Sequence, residues 1–258
     1  MDLNLSPEML FLIFLVALFA KIIGTLIGGG GFVTQPFLIL LGIPPQIALA
    51  NDISASAGMN ITSMHVFKKH KILFFKKLLW WLPGMILGPL IGVELLKTLP
   101  TDLIKWVVSI YCLCACTFLL SQKNKPDVTP IQNIYARRTT SVFASFLVGT
   151  YIGFSGAGAA FLTGTALILT HKVNSKEMTA MRHVLHFFPA FSAAVSFYFL
   201  GWLNLALGLT LFSACLMAGY IGSHMVIKFK EETVKKLFCT AGIFMSLAVI
   251  AQEILNYL

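Results

Sequence analysis

The sequence predicts an all-α integral membrane protein made of two inverted repeats, and its composition and an internal repeat support this. Hydrophobic residues make up 57% of the 258 residues and charged residues only 11%, whereas soluble domains contain about 25% charged residues. Residues 24–31, Gly-Thr-Leu-Ile-Gly-Gly-Gly-Gly, recur at 149–156 as Gly-Thr-Tyr-Ile-Gly-Phe-Ser-Gly, with five of eight positions identical. The mean hydropathy of +0.85 agrees with several membrane-spanning segments.

The repeat extends beyond the glycine-rich stretches. A shift of 130 residues pairs Phe67 with Phe197 and Ile91-Gly92 with Ile221-Gly222. Glycine-interrupted apolar segments that recur at matching places in two halves are typical of secondary transporters.

Ten apolar runs predict the helices. About eight of them approach the ~20 residues that a helical span needs, but runs 32–41 and 157–170 are too short to cross ~30 Å upright. We therefore expect these two to be half-helices or broken helices that are shielded from lipid by protein or by a cavity. Whether they cross fully or re-enter stays open at this point. The runs are 9–27, 32–41, 46–66, 78–96, 103–121, 139–155, 157–170, 177–199, 205–227 and 237–256.

The positions of the basic residues predict the topology. The net charge of +9 does not indicate nucleic-acid binding, because 15 of the 19 Lys and Arg residues lie in four short loops between apolar runs, as in cytoplasmic loops. The loop at 67–77 is then inside, and its repeat counterpart near Gly201 is outside. The two halves are therefore inverted and both termini face outside, whereas simple re-entrant short runs would make the halves parallel. The four loops contain Lys68, Lys69, Lys71, Lys76, Lys77, Lys123, Lys125, Arg137, Arg138, Lys172, Lys176, Lys228, Lys230, Lys235 and Lys236.

This topology divides the chain into three parts. They are a first transmembrane repeat over 1–122, a basic cytoplasmic linker over 123–138 and a second transmembrane repeat over 139–258. The chain is predicted to lie in a lipid bilayer with several membrane spans.

Two glycine turns, at 28–31 and 155–158, are the first candidates for a binding site. Glycine lets backbone N–H groups face a ligand, and the start of the following helix adds a partial positive charge. In an inverted repeat the two turns could meet near the midplane around a small anionic solute. Close packing of helices through small residues is the alternative explanation. The candidate solute-binding residues in and near the turns are Gly28, Gly29, Gly30, Gly31, Thr34, Gln35, Asn51, Ser155, Gly156 and Gly158, with Ser54, Ser56 and Asn60 as a further polar lining.

Charged and titratable residues inside the spans are the second set of candidates. Asp52 and Arg182 occupy equivalent positions at the shift of 130, and charges within a bilayer are usually paired or functional. They either neutralise each other, or Arg182 binds the anion and Asp52 carries protons. His183 and His186 flank the arginine and could also move protons, unless each only makes a hydrogen bond between helices. We expect Lys21 to extend its head to the membrane surface.

An enzyme is the competing interpretation. Gly153-Phe-Ser-Gly156 fits the GxSG pattern of rhomboid intramembrane proteases, in which a histidine would have to activate Ser155. The repeat argues against it, because Gly30 replaces Ser155 in the first half. We therefore predict no enzymatic activity.

We also expect no cofactor and no metal. Cys112 and Cys116 share a helical face, so a soft-metal site is the alternative, but the five cysteines are expected to act mainly as small buried apolar residues.

The first half carries a family resemblance. The glycine-rich stretch at 24–31, the following Phe32-Val-Thr-Gln-Pro-Phe-Leu-Ile-Leu-Leu-Gly-Ile-Pro-Pro and Ala48-Leu-Ala50 resemble the sulfite exporter TauE/SafE family. The resemblance covers nearly the whole chain. It implies a polytopic bacterial inner-membrane carrier for sulfur-containing anions such as sulfite, thiosulfate or organosulfonates, coupled to an ion gradient. Many members carry Gly-Thr where Asn51-Asp52 stand here.

Other functions stay open after the resemblance. The same fold could carry a different small solute, including inward, and a membrane accessory protein is a further possibility. The sequence leaves the oligomeric state open.

Overall fold

The helical class is confirmed over the described part of the chain. The structure, a computed structural model, describes residues 5–28, 30–72, 75–121, 131–171, 173–228, 243–244, 246–252 and 254–255. Up to residue 228 these ranges form nine α-helices and one 3-10 helix. The described residues after 228 are helical too, and no described residue lies in a strand. The helices are α1 Pro7–Ile27, α2 Gly31–Leu40, α3 Pro45–Lys69, a 3-10 helix Phe75–Trp81, α4 Leu82–Thr98, α5 Thr101–Ser121, α6 Ile134–Phe154, α7 Ala159–Thr170, α8 Ser175–Phe199 and α9 Leu205–Lys228.

Local sequence signals set the helix ends. The Ser6 side chain accepts the N–H of Met9 and caps α1, and Asn174 and Glu177 form a capping box at the start of α8. At its other end α1 stops at Gly28, which has the left-handed φ of 82° common at helix C-termini. Helix α6 begins at Ile134, inside the segment 123–138 predicted as a linker.

Three helices among the described residues are long and apolar enough to cross a membrane. They span Pro7–Leu26, Leu78–Thr98 and Leu205–Lys228. Helices α3 and α8 have 25 residues each but contain more polar side chains, so the predicted count of about eight spans stays a prediction. In the last predicted run, 237–256, the described residues 243–244, 246–252 and 254–255 are helical.

The two short helices are the returning arms of hairpins. With 10 and 12 residues, α2 and α7 are roughly 15–18 Å long and cannot cross ~30 Å alone. The N–H of Ile131 donates to the carbonyl of Leu169 at 3.0 Å, so the start of α6 lies beside the end of α7. Thr34 on α2 and Lys21 on α1 both bind Asp52 Oδ1, so α2 lies back along α1 in the same way. We call α1–α2 and α6–α7 the first and second hairpins.

Contacts at the two ends of the bundle give the directions of the long helices. The rings of His70, after α3, and His224, near the end of α9, lie 6.2 Å apart. At the same end Lys176, at the start of α8, donates from Nζ to the carbonyl of Ile227 at 2.8 Å. Helix α3 therefore ends where α8 begins, so the two are antiparallel. We call this end, which carries Lys68, Lys69, Lys176 and Lys228, the basic end.

At the opposite end α3 begins and α8 finishes. The Asn51 side chain donates from Nδ2 to the carbonyl of Trp202 at 3.1 Å, and its Oδ1 accepts the N–H of Asn204 at 3.2 Å. Gln46 reaches Thr101 at the start of α5, with 3.0 Å between Nε2 and Oγ1. Two connections, after α8 and before α5, therefore lie together at this end.

Helix packing follows the same 130-residue correspondence as the sequence. Helix α3 covers 45–69 and α8 covers 175–199, while the 3-10 helix with α4 covers 75–98 and α9 covers 205–228. Helix α1 packs on α9 as α6 packs on α4, and α3 packs on α9 as α8 packs on α4. Glycines allow these contacts: the helix backbone at Gly88 lies against that of α6, and Gly222 lies against Ile22 and Thr25 of α1.

Candidate functional site

A partly open cavity of about 70 Å³ lies where the two hairpins meet. Its wall combines backbone at the two glycine turns with charged and polar side chains from α1, α3 and α8. The lining residues are Lys21, Gly24, Gly28, Gly30, Gly31, Gln35, Asp52, Ile53, Ser56, Met59, Asn60, Ile152, Gly156, Gly158, Ala160, Arg182, His183 and His186.

The glycine turns touch each other, and larger residues would not fit. Gly28 has a φ of 82°, and a Cβ atom there would meet Ala160 and the Arg182 guanidinium. A Cβ on Gly31 would lie 3.1 Å from that of Ala157, and one on Gly158 would meet the ring of Phe32. Glycine is therefore needed both for backbone conformation and for the close approach of the hairpins.

Gln35 and Ser155 join the two turns by hydrogen bonds. The Gln35 amide donates from Nε2 to the carbonyl of Ser155 at 2.6 Å, and the Ser155 hydroxyl donates to Gln35 Oε1 at 3.3 Å. Gln35 Nε2 also lies 3.2 Å from Asp52 Oδ2. This one side chain thus connects the second turn to the charged group on α3.

Asp52 forms a buried ion pair with Lys21. The Lys21 Nζ atom lies 2.6 Å from Asp52 Oδ1, and both side chains are about 3–4% exposed. The Thr34 hydroxyl donates to the same oxygen at 2.8 Å. The expectation that Lys21 extends to the membrane surface is therefore wrong: packing of α1 against α9 and α3 turns this lysine inward, where a carboxylate compensates its charge.

Arg182 lies beside the first glycine turn. Its side chain is buried, and Nη2 donates to the carbonyl of Thr25 in the last turn of α1 at 2.8 Å. A helix C-terminus carries partial negative charge on its carbonyls, which suits a guanidinium. The arginine thereby ties α8 to the first hairpin while it lines the cavity.

The two histidines also face the cavity. His183 Nδ1 lies 2.8 Å from Asn60 Oδ1, and the other ring nitrogen, Nε2, is buried with no hydrogen-bond partner among the described residues. His186 Nε2 lies 2.7 Å from the Thr163 hydroxyl on α7. A buried imidazole nitrogen at a cavity wall can bind a solute or a water molecule.

Most of the predicted residues come together in this wall. Thr34 and Ser155 lie directly behind it, through their bonds to Asp52 and Gln35, and Gly29 lies outside the described residues. Asn51 is absent from the lining and joins α3 to the connection before α9. Sequence reasoning missed Lys21 as a cavity residue, although a lysine inside a long apolar run was a signal for it.

Described contacts do not join Ser155 to a histidine. The Ser155 hydroxyl donates to Gln35, and the described hydrogen bonds of His183 and His186 are with Asn60 and Thr163. Cys112 and Cys215 are buried while Cys114 is exposed. In the described part of the chain, no group of three His, Cys, Asp or Glu side chains is placed to hold a metal ion.

The described side chains of the lining carry more positive than negative charge. Among the described lining residues, Lys21 and Arg182 bring two positive charges and Asp52 one negative charge. The first turns of α2 and α7 begin at Gly31 and Ala159, beside the cavity, and helix N-termini attract negative charge.

Comparison with known proteins identifies the family. The profile described as sulfite exporter TauE/SafE matches residues 13–249. The chain belongs to this family. The helices, the glycine turns and the cavity described above are therefore those of a TauE/SafE family membrane transporter.

Several relatives of this TauE/SafE chain match along nearly their whole length. The probable membrane transporter protein YfcA of Escherichia coli K12 is 23% identical over 98% of this chain and 95% of its own. A probable membrane transporter protein of Haemophilus influenzae is 22% identical over 97% of this chain and 98% of its own. YjnA of Bacillus subtilis, also named a probable membrane transporter protein, is 22% identical over 84% and 91%. These relatives indicate a bacterial membrane protein. No solved structure matches significantly.

Proposed function

We propose that the protein is a secondary transporter that moves a small sulfur-containing anion, such as sulfite or thiosulfate, across the bacterial inner membrane. The observation that carries this proposal is the cavity between the glycine turns, lined by the buried side chains of Arg182 and Lys21. Buried charges are costly in a membrane unless they are paired or used. Because Asp52 compensates one of the two cations, the described lining keeps one net positive charge, which suits the site to receiving an anion.

The donors around the cavity suit an oxyanion. An arginine presents several N–H groups in a planar fork that matches oxygens on sulfur, and charge-assisted hydrogen bonds are about twice as strong as neutral ones. His183 Nε2, which has no described partner, and the Gln35 amide add polar atoms nearby. We infer that the anion binds between Arg182, Lys21 and the glycine turns.

The size of the cavity suits a small anion. One water molecule needs about 10–15 Å³ of such space, so a cavity of about 70 Å³ holds roughly five to seven non-hydrogen atoms. Sulfite and thiosulfate have four and five, and the organosulfonate 2-aminoethanesulfonate, with seven, lies at the upper limit.

Two inverted repeats, 1–122 and 139–258, would supply the alternating access. The antiparallel α3 and α8, together with the matched packing of the two halves, support an inverted relation. The second hairpin starts and ends at the basic end. Gly222, toward the C-terminal end of α9, contacts Ile22 and Thr25, toward the C-terminal end of α1. Because α9 finishes at the basic end, α1 also runs toward the basic end. The first hairpin therefore enters from the opposite end. A hairpin that enters and leaves the membrane at the same side does not change the side on which the next helix begins. With the basic end inside, the positive-inside rule then predicts both termini outside.

Coupling to an ion gradient needs a group in the cavity wall that can exchange a proton. Among the titratable groups of the lining, the candidates for this role are Asp52, His183 and His186. No cofactor or enzymatic step enters this proposal.

Transport assays in proteoliposomes test the proposal. The measurement is the movement of radiolabelled sulfite, thiosulfate and 2-aminoethanesulfonate, with and without a pH gradient, against protein-free liposomes. We expect saturable movement of sulfite or thiosulfate that responds to the gradient. Well-folded protein that moves none of the three would overturn the assignment of sulfur anions.

A further inference from the structure

We propose that Lys21 is a second substrate-binding cation and that Asp52 is its built-in counter-ion, so that the cavity binds a divalent oxyanion only together with one proton. This inference rests on the proposed function and specifies how its site handles charge. It starts from a pair that the sequence did not predict.

Geometry holds Lys21 at the cavity. A Cβ atom on Gly30 would lie 2.7 Å from Lys21 Cδ, so the lysine stem runs along the first glycine turn. Its Nζ reaches Asp52 Oδ1 at 2.6 Å, and both residues line the cavity. An anion beside Arg182 and the turn therefore competes with Asp52 for the same ammonium group.

Charge balance then determines what can bind. The described charges of the wall are Lys21, Arg182 and Asp52, so the empty site carries one net positive charge. A monovalent anion neutralises this charge directly. A divalent anion leaves one negative charge in a medium of low dielectric constant, which is costly. One proton on Asp52 removes the excess.

The surroundings of Asp52 accommodate both of its protonation states. The ionised carboxylate accepts hydrogen bonds from Thr34 at 2.8 Å and Gln35 at 3.2 Å. The Thr34 hydroxyl also lies 3.2 Å from the carbonyl of Gly30. When Asp52 takes a proton from solution, Thr34 can donate to Gly30 and accept the new O–H. The Lys21 ammonium is then released to the anion, and the proton leaves when the pair re-forms.

Titratable groups on neighbouring helices are the alternatives to Asp52. Lys21 on α1, Cys112 on α5 and Cys215 on α9 interact electrostatically with the carboxylate. Arg182, His183 and His186 on α8 line the same cavity. The two histidines are the competing proton acceptors, and the experiment must separate them from Asp52.

Proton counting by calorimetry tests the proposal. Purified full-length protein is titrated with thiosulfate in two buffers of different ionisation enthalpy, and then with methanesulfonate. The two anions have equal numbers of non-hydrogen atoms but carry two charges and one charge at neutral pH, whereas sulfite takes up protons itself. We expect the protein to take up about one proton for each thiosulfate that binds, and none when methanesulfonate binds. Thiosulfate affinity should rise about tenfold for each unit that the pH falls.

Variants locate the proton. Asp52→Asn keeps hydrogen-bonding atoms in place, so it should bind thiosulfate without proton uptake and without the pH dependence. His183→Asn and His186→Gln should leave the proton count at its wild-type value. In the double variant Lys21→Met/Asp52→Asn, thiosulfate should lose more affinity than methanesulfonate. Lys97→Met, in an exposed pair with Glu94, is the matched control and should bind as the wild type does.

The contrary results are distinct. Thiosulfate that binds the wild type without a proton would overturn this inference but leave the transporter proposal intact. Proton uptake that persists in Asp52→Asn and disappears in a histidine variant would overturn the role of Asp52. If Asp52→Asn fails to fold, the number of protons that the wild type takes up with thiosulfate still tests whether the divalent anion binds together with a proton. Folded wild-type protein that binds neither anion would overturn the proposed function itself.

Discussion

At the scale of single residues, the Lys21–Asp52 pair stabilises the bundle only while both charges are present. Lys21→Met leaves a buried carboxylate without its partner, and losing one member of a buried pair costs about 3–5 kcal/mol. We expect Lys21→Met to lower the unfolding temperature in detergent strongly, and Lys21→Met/Asp52→Asn to recover most of the loss. The exposed pair of Lys97 and Glu94 provides the comparison, since Lys97→Met should change the free energy of unfolding by less than about 1 kcal/mol. Equal effects of Lys21→Met and Lys97→Met would contradict the buried pair.

Gly28 combines backbone conformation with close approach, and Gly42 separates the two effects. Both have a φ of 82°, but a Cβ on Gly28 would meet Ala160 and Arg182, whereas a Cβ on Gly42 would meet nothing within 4 Å. Both alanine variants carry a left-handed backbone strain of about 1–2 kcal/mol. We expect Gly28→Ala to abolish thiosulfate transport in proteoliposomes and Gly42→Ala to retain it. Similar rates for the two variants would mean that crowding at the first glycine turn is unimportant.

The sequence predicted the members of the site better than their partners. Glycines at equivalent places and Asp52 and Arg182 at a shift of 130 were sufficient to indicate one central location. The ion pair of Asp52 with Lys21 could not be predicted, because it depends on how α1 packs against α9 and turns the lysine toward α3. Asn51 had the same sequence context as Asp52, but its side chain instead makes hydrogen bonds to the backbone of the connection between α8 and α9.

At the scale of helices, the contact between α4 and α6 depends on small residues. A Cβ on Gly88 would lie 2.6 Å from the carbonyl oxygen of Phe146 and 2.7 Å from the nitrogen of Thr150, both backbone atoms. Gly88→Ala must therefore push the helices apart, and we expect it to reduce stability by about 1–3 kcal/mol. Gly164 is a suitable control, because its nearest neighbour is the flexible side chain of Met178 at 3.2 Å. Thermal unfolding in detergent should show a clear loss for Gly88→Ala and little change for Gly164→Ala; the reverse order would contradict this packing.

Helix positions were predictable because the apolar runs and their end signals are strong. Runs 177–199 and 205–227 became helices 175–199 and 205–228, and the short runs became α2 and α7. The hairpin arrangement of the short helices was left open by the sequence. It depends on contacts such as Ile131 with Leu169, which join segments far apart in the chain.

At the scale of the whole molecule, the two halves contribute different chemistry to one cavity. The first half supplies Lys21, Asp52 and Gln35, and the second supplies Arg182 and the two histidines. A repeat with similar helices but different side chains can keep a symmetric mechanism of access around an asymmetric binding site. The basic loops predicted a common end for the bundle, and Lys68, Lys176 and Lys228 do lie near one end in the structure.

Transport by an arginine variant tests the central claim, that the solute passes through this cavity, most directly. The measurement is the initial rate of labelled thiosulfate movement in proteoliposomes for wild type, Arg182→Gln and Arg138→Gln. Arg138 is a matched control, since its guanidinium lies 4.8 Å from the Trp80 ring and outside the cavity lining. Loss of a charge-assisted hydrogen bond of about 1.5–3 kcal/mol predicts a reduction of roughly 10- to 100-fold for Arg182→Gln, with Arg138→Gln at the wild-type rate. Folded Arg182→Gln protein that transports thiosulfate as fast as the wild type would contradict the account.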